Sequence, residues 1–575
     1  MAWYDNAVFY HIYPLGLCGC AKENHGEREE HFDQLRQWAL HAAQMECTAI
    51  YIGPLFESEG HGYETRDYRK VDGRLGTNEE FADWVKYCHE LGLKVIVDGV
   101  FNHTGRSFFA FEDIRKNREQ SPYLDWYCNV NFWGNTEYND GFSYENWGGY
   151  NLLAKLNLRN PQVKQYHFDT VRFWVEQFDI DGIRLDAADV LDFDFMRELR
   201  QVTEGLKQDF FLLGEVIHGD YSRWANQGML HSVTNYELHK GLYSGHNDHN
   251  YFEIAHSIKR LNDICRGTRL YTFVDNHDVA RIASKLNNKE HLFNVTLLLY
   301  TIWGIPSVYY GSEFSIEGRK EKGSDWNLRP CLRLEDFEHQ MINDPVTLLH
   351  RELGRLKKEY RELTDGAYRE LLLKNRQFAF GRVLDNSAVI VAMNNDDAPA
   401  RLEIPLPVAA SQVTDLLAKA GGELTAEMNG AFEGTNGEPE GMNGASEETN
   451  GASQGTNARD EEKEERILDL IGRALDEIRD IDDGFRKMTG HVNAKKPLEE
   501  FCLIPSLPER MKHLAELHDE IYQVESQYTG AADAAGTSAG ISQGQEGSGC
   551  PGTSLEGGRL IVDLPANRGT VFFVS

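Results

Sequence analysis

Several segments of strand-like composition end in residues that can move protons or attack a carbon. GIRLD at 182–186 closes on Asp186 with Arg184 two residues earlier, FFLLGE at 210–215 closes on Glu215, and FVDNHD at 273–278 ends in His277 and Asp278. A fourth cluster, DGVFNH at 98–103, carries Asp98, Asn102 and His103. One Asp at a strand end is most often a turn residue or a helix cap. Carboxylates on several segments, accompanied by Arg and two His, exceed what caps need. Cleavage of a glycosidic bond with retention asks for such a set: one carboxylate as nucleophile and a second as acid/base, with the carboxyl groups about 5 Å apart. An arginine beside the nucleophile keeps it ionised, while burial keeps a neighbouring carboxyl protonated, so one site holds both forms near neutral pH. Hydrolysis at a metal is the competing chemistry, but H-x-H and H-E-x-x-H spacings are absent, so no metal is assigned.

These clusters must be carried to one place. From residue 7 to about 313, short apolar runs alternate with amphipathic stretches of helical period. The runs at 7–14, 48–56, 94–101, 180–186, 210–216, 231–236, 270–275 and 305–310 predict eight strands. Helical patterns sit between most of them, as at 78–92 and at 160–178, which opens on Asn-Pro. Eight such units predict an α/β fold, a closed (β/α)8 TIM barrel rather than a doubly wound sheet, over residues 1–103 and 153–363. In a barrel, chemistry belongs at the C-terminal ends of the strands, where the four clusters fall.

Residues 104–152 lose the alternation and predict a small inserted domain over the barrel mouth, after strand 3. Its Trp126, Trp133, Trp147, Tyr144 and Tyr150 serve either as sugar-stacking platforms or as core. A last helix at 346–362 precedes period-2 segments at 376–383, 387–394, 400–405, 559–564 and 569–574, which predict one C-terminal antiparallel β domain over 364–407 and 558–575. A long insertion, 408–557, interrupts that domain. Within it, Asn recurs every seven residues at 429, 436, 443, 450 and 457 without an apolar seam, which predicts a flexible acidic linker rather than a coiled coil. Charged helical patterns follow at 459–482 and 508–528, then a Gly/Ala/Ser-rich stretch at 529–558.

With its motifs in order, the chain resembles glycoside hydrolase family 13, the α-amylase family. The motifs are GHGYETRDY at 60–68, DGVFNH at 98–103, LAKLN at 153–157, GIRLDAADV at 182–190, LLGEV at 212–216, FVDNHD at 273–278 and GIPSVYYGSE at 304–313. Position by position, the resemblance implies Asp186 as nucleophile, Glu215 as general acid/base, and Asp278 as the carboxylate that distorts and stabilises the sugar in the transition state. It implies that Arg184 orients Asp186, that His103 and His277 bond hydroxyls of the cleaved glucose unit, that Asp98 braces the site, and that Tyr63 stacks on that sugar's face.

Within the family, LAKLN and GEVIHGDYSRW at 214–224, with His218, look most like the neopullulanase, cyclomaltodextrinase and maltogenic amylase group, although the extra N-terminal β domain of that group is not found ahead of the first strand at Ala7. Asp189 and Val190 stand where α-amylases usually carry Lys and His, which points away from endo-cleavage of long starch. The resemblance thus implies a retaining hydrolase of maltodextrins or cyclodextrins that cuts α-1,4, and also α-1,6, bonds through a covalent glycosyl-enzyme. Transglycosylation and an α-glucosidase of other specificity (isomaltose, trehalose, sucrose) are the alternatives. A non-catalytic binding or scaffold protein on an amylase fold is the alternative of another class, and the complete catalytic set argues against it. No cofactor is required; Asn102 matches a position that ligates calcium in many relatives, and hydrogen bonding inside the fold accounts for it as well.

The 575 residues carry a formal net charge of −32, which disfavours nucleic acid and anionic membrane surfaces as partners. Residues 408–557 hold 12 Lys or Arg against 29 Asp or Glu, so just over half of that surplus belongs to the insertion, whose protein partner is left unassigned. No apolar run approaches the roughly 18 residues that span a bilayer. The N-terminus lacks a basic segment followed by an apolar one. Nine scattered cysteines, with one close pair at Cys18 and Cys20 and no C-x-x-C, read as reduced thiols. Together these predict a cytoplasmic protein, and the resemblance implies α-linked glucose oligosaccharides as its partners.

Overall fold

The computed structural model describes residues 2–26, 28–410, 412–419 and 553–575. The Asn repeat and the helical patterns at 459–482 and 508–528 lie outside the described residues. Eight parallel strands make the barrel: β1 (Phe9–Ile12), β2 (Ala49–Ile52), β3 (Lys94–Gly99), β4 (Gly182–Leu185), β5 (Phe211–Gly214), β6 (Ser232–Val233), β7 (Tyr271–Phe273) and β8 (Ile305–Tyr309). Each falls inside one of the eight predicted runs. They pair in the order β6-β5-β4-β3-β2-β1-β8-β7, and a parallel bridge from Thr234 to Tyr271 closes the seam between β6 and β7.

Alternation along the strands sorts the side chains. Phe9, Tyr51, Ile96, Phe211, Leu213 and Tyr271 fill the interior, while Tyr10, Ile50, Val95, Val97, Ile183 and Leu185 pack outward under the helices. The same period of two decides where the polar residues point. Asp98 lies two past Ile96, Glu215 two past Leu213, and Arg184 pairs in register with both Asp98 and Leu213, so these groups project from the interior face at the C-terminal ends.

The covering helices are α1 (Phe32–Gln44), α2 (Asn78–Glu90), α3 (Pro161–Phe178), α4 (Phe193–Leu206), α5 (Tyr236–Asn247), α6 (Tyr251–Cys265), α7 (His291–Thr301) and α8 (Pro345–Glu359). Thr77 and Glu80 close a capping box on α2, and the Asn160 side chain accepts from the Gln162 and Val163 N–H groups ahead of Pro161 on α3. Trp174 of α3 stacks on Phe56 with ring centroids 4.4 Å apart. Burying an aromatic of this size contributes about 4–6 kcal/mol before the entropy of ordering is set against it. Between β5 and β6 the crossover carries only a 3-10 turn, Tyr221–Arg223. Among the described residues no helix is long and apolar enough to cross a membrane.

The segment inserted after β3 is tied down by a three-stranded antiparallel sheet, in which Tyr150–Lys155 lies between His103–Thr104 and Asn146–Trp147. The sheet thus begins at His103 and ends at Lys155, one strand residue or more beyond the 104–152 span at each side.

The C-terminal strands are β9 (Ala367–Leu373), β10 (Gln377–Leu384), β11 (Ser387–Asn394), β12 (Ala400–Pro405), β13 (Val413–Asp415), β14 (Ser554–Glu556), β15 (Arg559–Leu564) and β16 (Gly569–Val574). They form two antiparallel sheets, β9-β10-β11-β16-β13 and β12-β15-β14. In β11, Ala388, Ile390 and Ala392 meet Leu402, Ile404, Leu560 and Val562 of the smaller sheet, while Val389, Val391 and Met393 join the barrel's core. One correction concerns the insertion: β13 and β14 lie inside 408–557, so the sandwich runs on to about residue 419 and resumes near Ser554. Strands of three residues (VTD and SLE) are too short to show a period.

Candidate active site

Arg184, 3 % exposed, is the centre of a carboxylate cluster at the barrel mouth. Its Nη1 donates to Asp98 Oδ1 at 2.9 Å and to Asp186 Oδ1 at 3.0 Å, and its Nη2 lies 2.8 Å from Glu215 Oε2. The backbone N–H of Ala187 donates to the same Glu215 oxygen at 3.0 Å. Asp98 Oδ2 accepts from Tyr51 at 2.7 Å and from Tyr63 at 3.2 Å. Three neighbouring strands supply this set, and the ladder between them fixes its spacing: Asp186 N–H bonds the Gly99 carbonyl and Glu215 N–H bonds that of Leu185.

Asp278 joins from the connection after β7, where the Asn276 side chain accepts from the Asp278 and Val279 N–H groups and sets the turn. Its carboxylate sits 2.9 Å from His277 Nε2 and 3.0 Å from Arg329 Nη2. Arg329 is buried in turn: its Nε donates to the His277 carbonyl, its Nη1 to Tyr13, and its guanidinium lies over the Tyr13 ring. Gly16 makes this approach feasible, since a Cβ there would meet the Arg329 carbonyl oxygen at 2.4 Å.

Burial and the facing carboxylates push the two carboxyls on Arg184 one way. Burial, with Glu215, Asp98 and Asp278 nearby, outweighs Arg184 and raises Asp186 well above the usual range. Burial likewise raises Glu215, with Asp278 adding to it. Two acids bridged by one guanidinium titrate as a pair, and this pair retains a proton above ordinary carboxylate pH. For Asp278, burial also pushes upward, but His277, Arg329 and Arg184 together outweigh it and hold the group below the usual range. Burial lowers His103 to about 3, so its imidazole is neutral near pH 7.

Tyr63, His103, Asp186, Glu215, Asp278 and Arg329 line one cavity of about 760 Å³, and Asp98, Arg184 and His277 lie in hydrogen-bond contact with that lining. Tyr63 stands against His277, rings 17° apart, and its hydroxyl bonds the imidazole Nε2. Asn102 is buried with its amide 3.2 Å from His103 Nδ1. Among the described residues the one group of three His, Cys, Asp or Glu ligand atoms lies elsewhere, so a calcium ion at Asn102 would rest on amide and carbonyl oxygens.

The aromatics of the inserted segment divide. Trp126 and Tyr144 are buried, the first bonded to Gln162 and the second to Arg106. Trp133 is 98 % exposed and away from the cavity, whereas Trp147 and Tyr150 stand at its mouth. Several lining residues are not singled out by residue type and spacing: Arg329, Asp325 and Trp326 after β8, and His61 and Glu64, 3.1 Å apart, inside the GHGYETRDY motif. Each sits in a connection with no periodicity to mark it.

The model of the α-amylase catalytic domain matches residues 41–348. A cyclomaltodextrinase from Bacillus sp is 29 % identical over 430 residues, which cover 69 % of this chain and 74 % of that relative. Neopullulanase 2 from Thermoactinomyces vulgaris is 30 % identical over 431 residues, covering 68 % and 70 %. A solved cyclomaltodextrinase structure aligns with a TM-score of 0.64 at 27 % identity, over 72 % of this chain and 73 % of that one. With that match laid over a barrel whose mouth holds these carboxylates, the chain belongs to the α-amylase family of glycoside hydrolases.

Proposed function

We propose that the enzyme hydrolyses α-1,4 bonds, and also α-1,6 bonds, of maltodextrins or cyclodextrins by a two-step retaining mechanism. The observation that carries this reading is the Arg184 guanidinium, which spans Asp186 and Glu215 and so sets a nucleophile and an acid on either side of one glycosidic bond. The substrate class is taken from relatives named cyclomaltodextrinase and neopullulanase. A cytoplasmic setting is supported by the seven described cysteines, all free thiols.

In the first step Glu215 gives its proton to the glycosidic oxygen while the Asp186 carboxylate attacks the anomeric carbon from the opposite face. The bond to the leaving sugar breaks, and an ester to Asp186 forms. In the second step Glu215, now a carboxylate, takes a proton from water, whose oxygen displaces Asp186 and restores the starting configuration. Asp278, kept ionised by His277 and Arg329, faces the positive charge that develops on the sugar ring in both transition states. Neutral His103 and the His277 imidazole serve the sugar hydroxyls, Tyr63 offers a ring face, and Asp98 holds Arg184 from behind.

A fluorinated glucosyl fluoride that forms its ester quickly and releases it slowly tests the assignment. Peptide mass spectrometry is expected to find the sugar on Asp186; an adduct on any other carboxylate, or wild-type turnover of maltotriose by Asp186→Asn, would overturn it.

A further inference from the structure

Away from the cavity, Cys20, Glu29 and His31 bring a thiol, a carboxylate oxygen and an imidazole nitrogen within 4.8 Å of one another. The sequence places them in the connection between β1 and α1, and one turn of backbone holds all three. Cys20 Sγ bonds the Arg74 carbonyl at 3.3 Å, Glu29 N–H the Gly73 carbonyl at 3.0 Å, and His31 N–H the Leu75 carbonyl at 3.0 Å. Glu29 and His31, two apart on this anchored stretch, already meet at 2.8 Å. The neighbouring cation is committed elsewhere, since Arg74 is fully buried with three of its bonds on Asp72.

We propose that Cys20, Glu29 and His31 bind a zinc ion that fastens the 18–31 connection beside the segment carrying Arg329. A thiolate, an imidazole and a carboxylate form the mixed soft and borderline donor set that suits zinc rather than calcium or magnesium. Bond lengths of about 2.0–2.3 Å put tetrahedral ligand atoms about 3.4–3.8 Å apart, so shifts of roughly an ångström in side-chain position complete the set. Cys18, buried and two residues ahead of Cys20 on the same connection, is the natural fourth ligand. The connection is stitched to the chain around Arg329. Gly19, with φ +70°, leaves room for Cys331 Sγ where a Cβ would lie 2.9 Å away, and the Gln34 side chain bonds the carbonyls of both Leu17 and Leu332.

The full chain, purified without chelator, should carry about one zinc per chain by elemental analysis, and Cys20→Ser and His31→Ala should each lose it. Cobalt added to chelator-stripped protein should give a thiolate-to-metal charge-transfer band that calcium does not compete away. The band should vanish in Cys20→Ser and fall by about half in Cys18→Ala. Folded wild-type protein that holds no stoichiometric zinc and gives no cobalt band would overturn the site, whatever the variants do. So would zinc retained in full by both Cys20→Ser and His31→Ala. In either case His31 and Glu29 form a simple ion pair beside a hydrogen-bonded thiol.

Discussion

The floor of the cavity and its rim are held by different kinds of bond. Asp98, Arg184, Asp186 and Glu215 stand on or immediately after three adjacent strands whose ladder fixes their spacing, and none can move without shearing the barrel. The rim comes from connections: Tyr150 from the inserted sheet, Asp278 after β7, and Asp325, Trp326 and Arg329 after β8. A few side-chain contacts place these, Arg329 on Asp278 and Tyr13 being the clearest. On the proposed mechanism, bond breaking falls to the part that register determines together with Asp278, and choice of substrate to the rest of the rim.

Removing the acid from the floor is the severest test of this division. Glu215→Gln should cut turnover of maltotriose by about 10⁴-fold but lose far less on α-glucosyl fluoride, whose leaving group needs no proton. Equal losses on both substrates would show that the residue does not serve as the acid. The pH profile follows from the same pair. Because Asp186 and Glu215 are both pushed above the usual carboxylate range, the singly protonated pair that the mechanism needs forms only above that range, so kcat/KM should rise with pH through the ordinary carboxylate range and then drop about tenfold per unit as pH passes the pKa of the second proton. Asp278, displaced the other way, stays ionised throughout and its charge helps hold Glu215 up, so Asp278→Asn should lower the rate and move that alkaline limb to lower pH. A limb that stays put or moves to higher pH in Asp278→Asn would break the assignment.

On the rim the effects shrink. Arg329→Lys keeps the charge but loses the fork that reaches His277, Tyr13 and Asp278 together, and should lower kcat/KM about 10- to 100-fold with KM rising as well as kcat falling. Tyr150, 68 % exposed at the mouth, should matter least. Tyr150→Ala is expected to raise KM for maltoheptaose about two- to tenfold, leave it unchanged for maltose, and leave kcat alone. A loss in kcat from Tyr150→Ala would place rim and floor in one unit and end the comparison.

The same division separates what could be read in the sequence from what could not. The floor is legible because strands impose a period of two: GIRLD and FFLLGE each end on an inward position, and the residue types do the rest. The eight runs and the Asn-Pro start of α3 carry signals of local origin. Arg329 has none, because its role comes from Gly16, which is distant in sequence and clears its path. Composition alone could not sort the aromatics of the insertion, since Trp126 and Tyr150 differ only in what packs on them. In the C-terminal sandwich, β9 (AYRELLL) is an edge strand with a register shift between Glu370 and Leu372, so its alternation is broken, and β13 and β14 are too short to have one.

β13 pairs with the last strand of the chain and β14 with β15, so the polypeptide leaves and re-enters the sandwich through two antiparallel ladders. Closing a loop becomes dearer only with the logarithm of its length, by about 0.6 kcal/mol per doubling, so replacing a tight turn by roughly 130 residues costs on the order of 3 kcal/mol. That is a small fraction of what two packed sheets contribute, and no described residue beyond Arg329 lines the cavity. The fold can therefore take a long segment between β13 and β14 at little cost to its own stability. This connection between the two sheets is a grafting point, where a lineage or a designer can exchange one module for another while the ladders of the sandwich stay as they are.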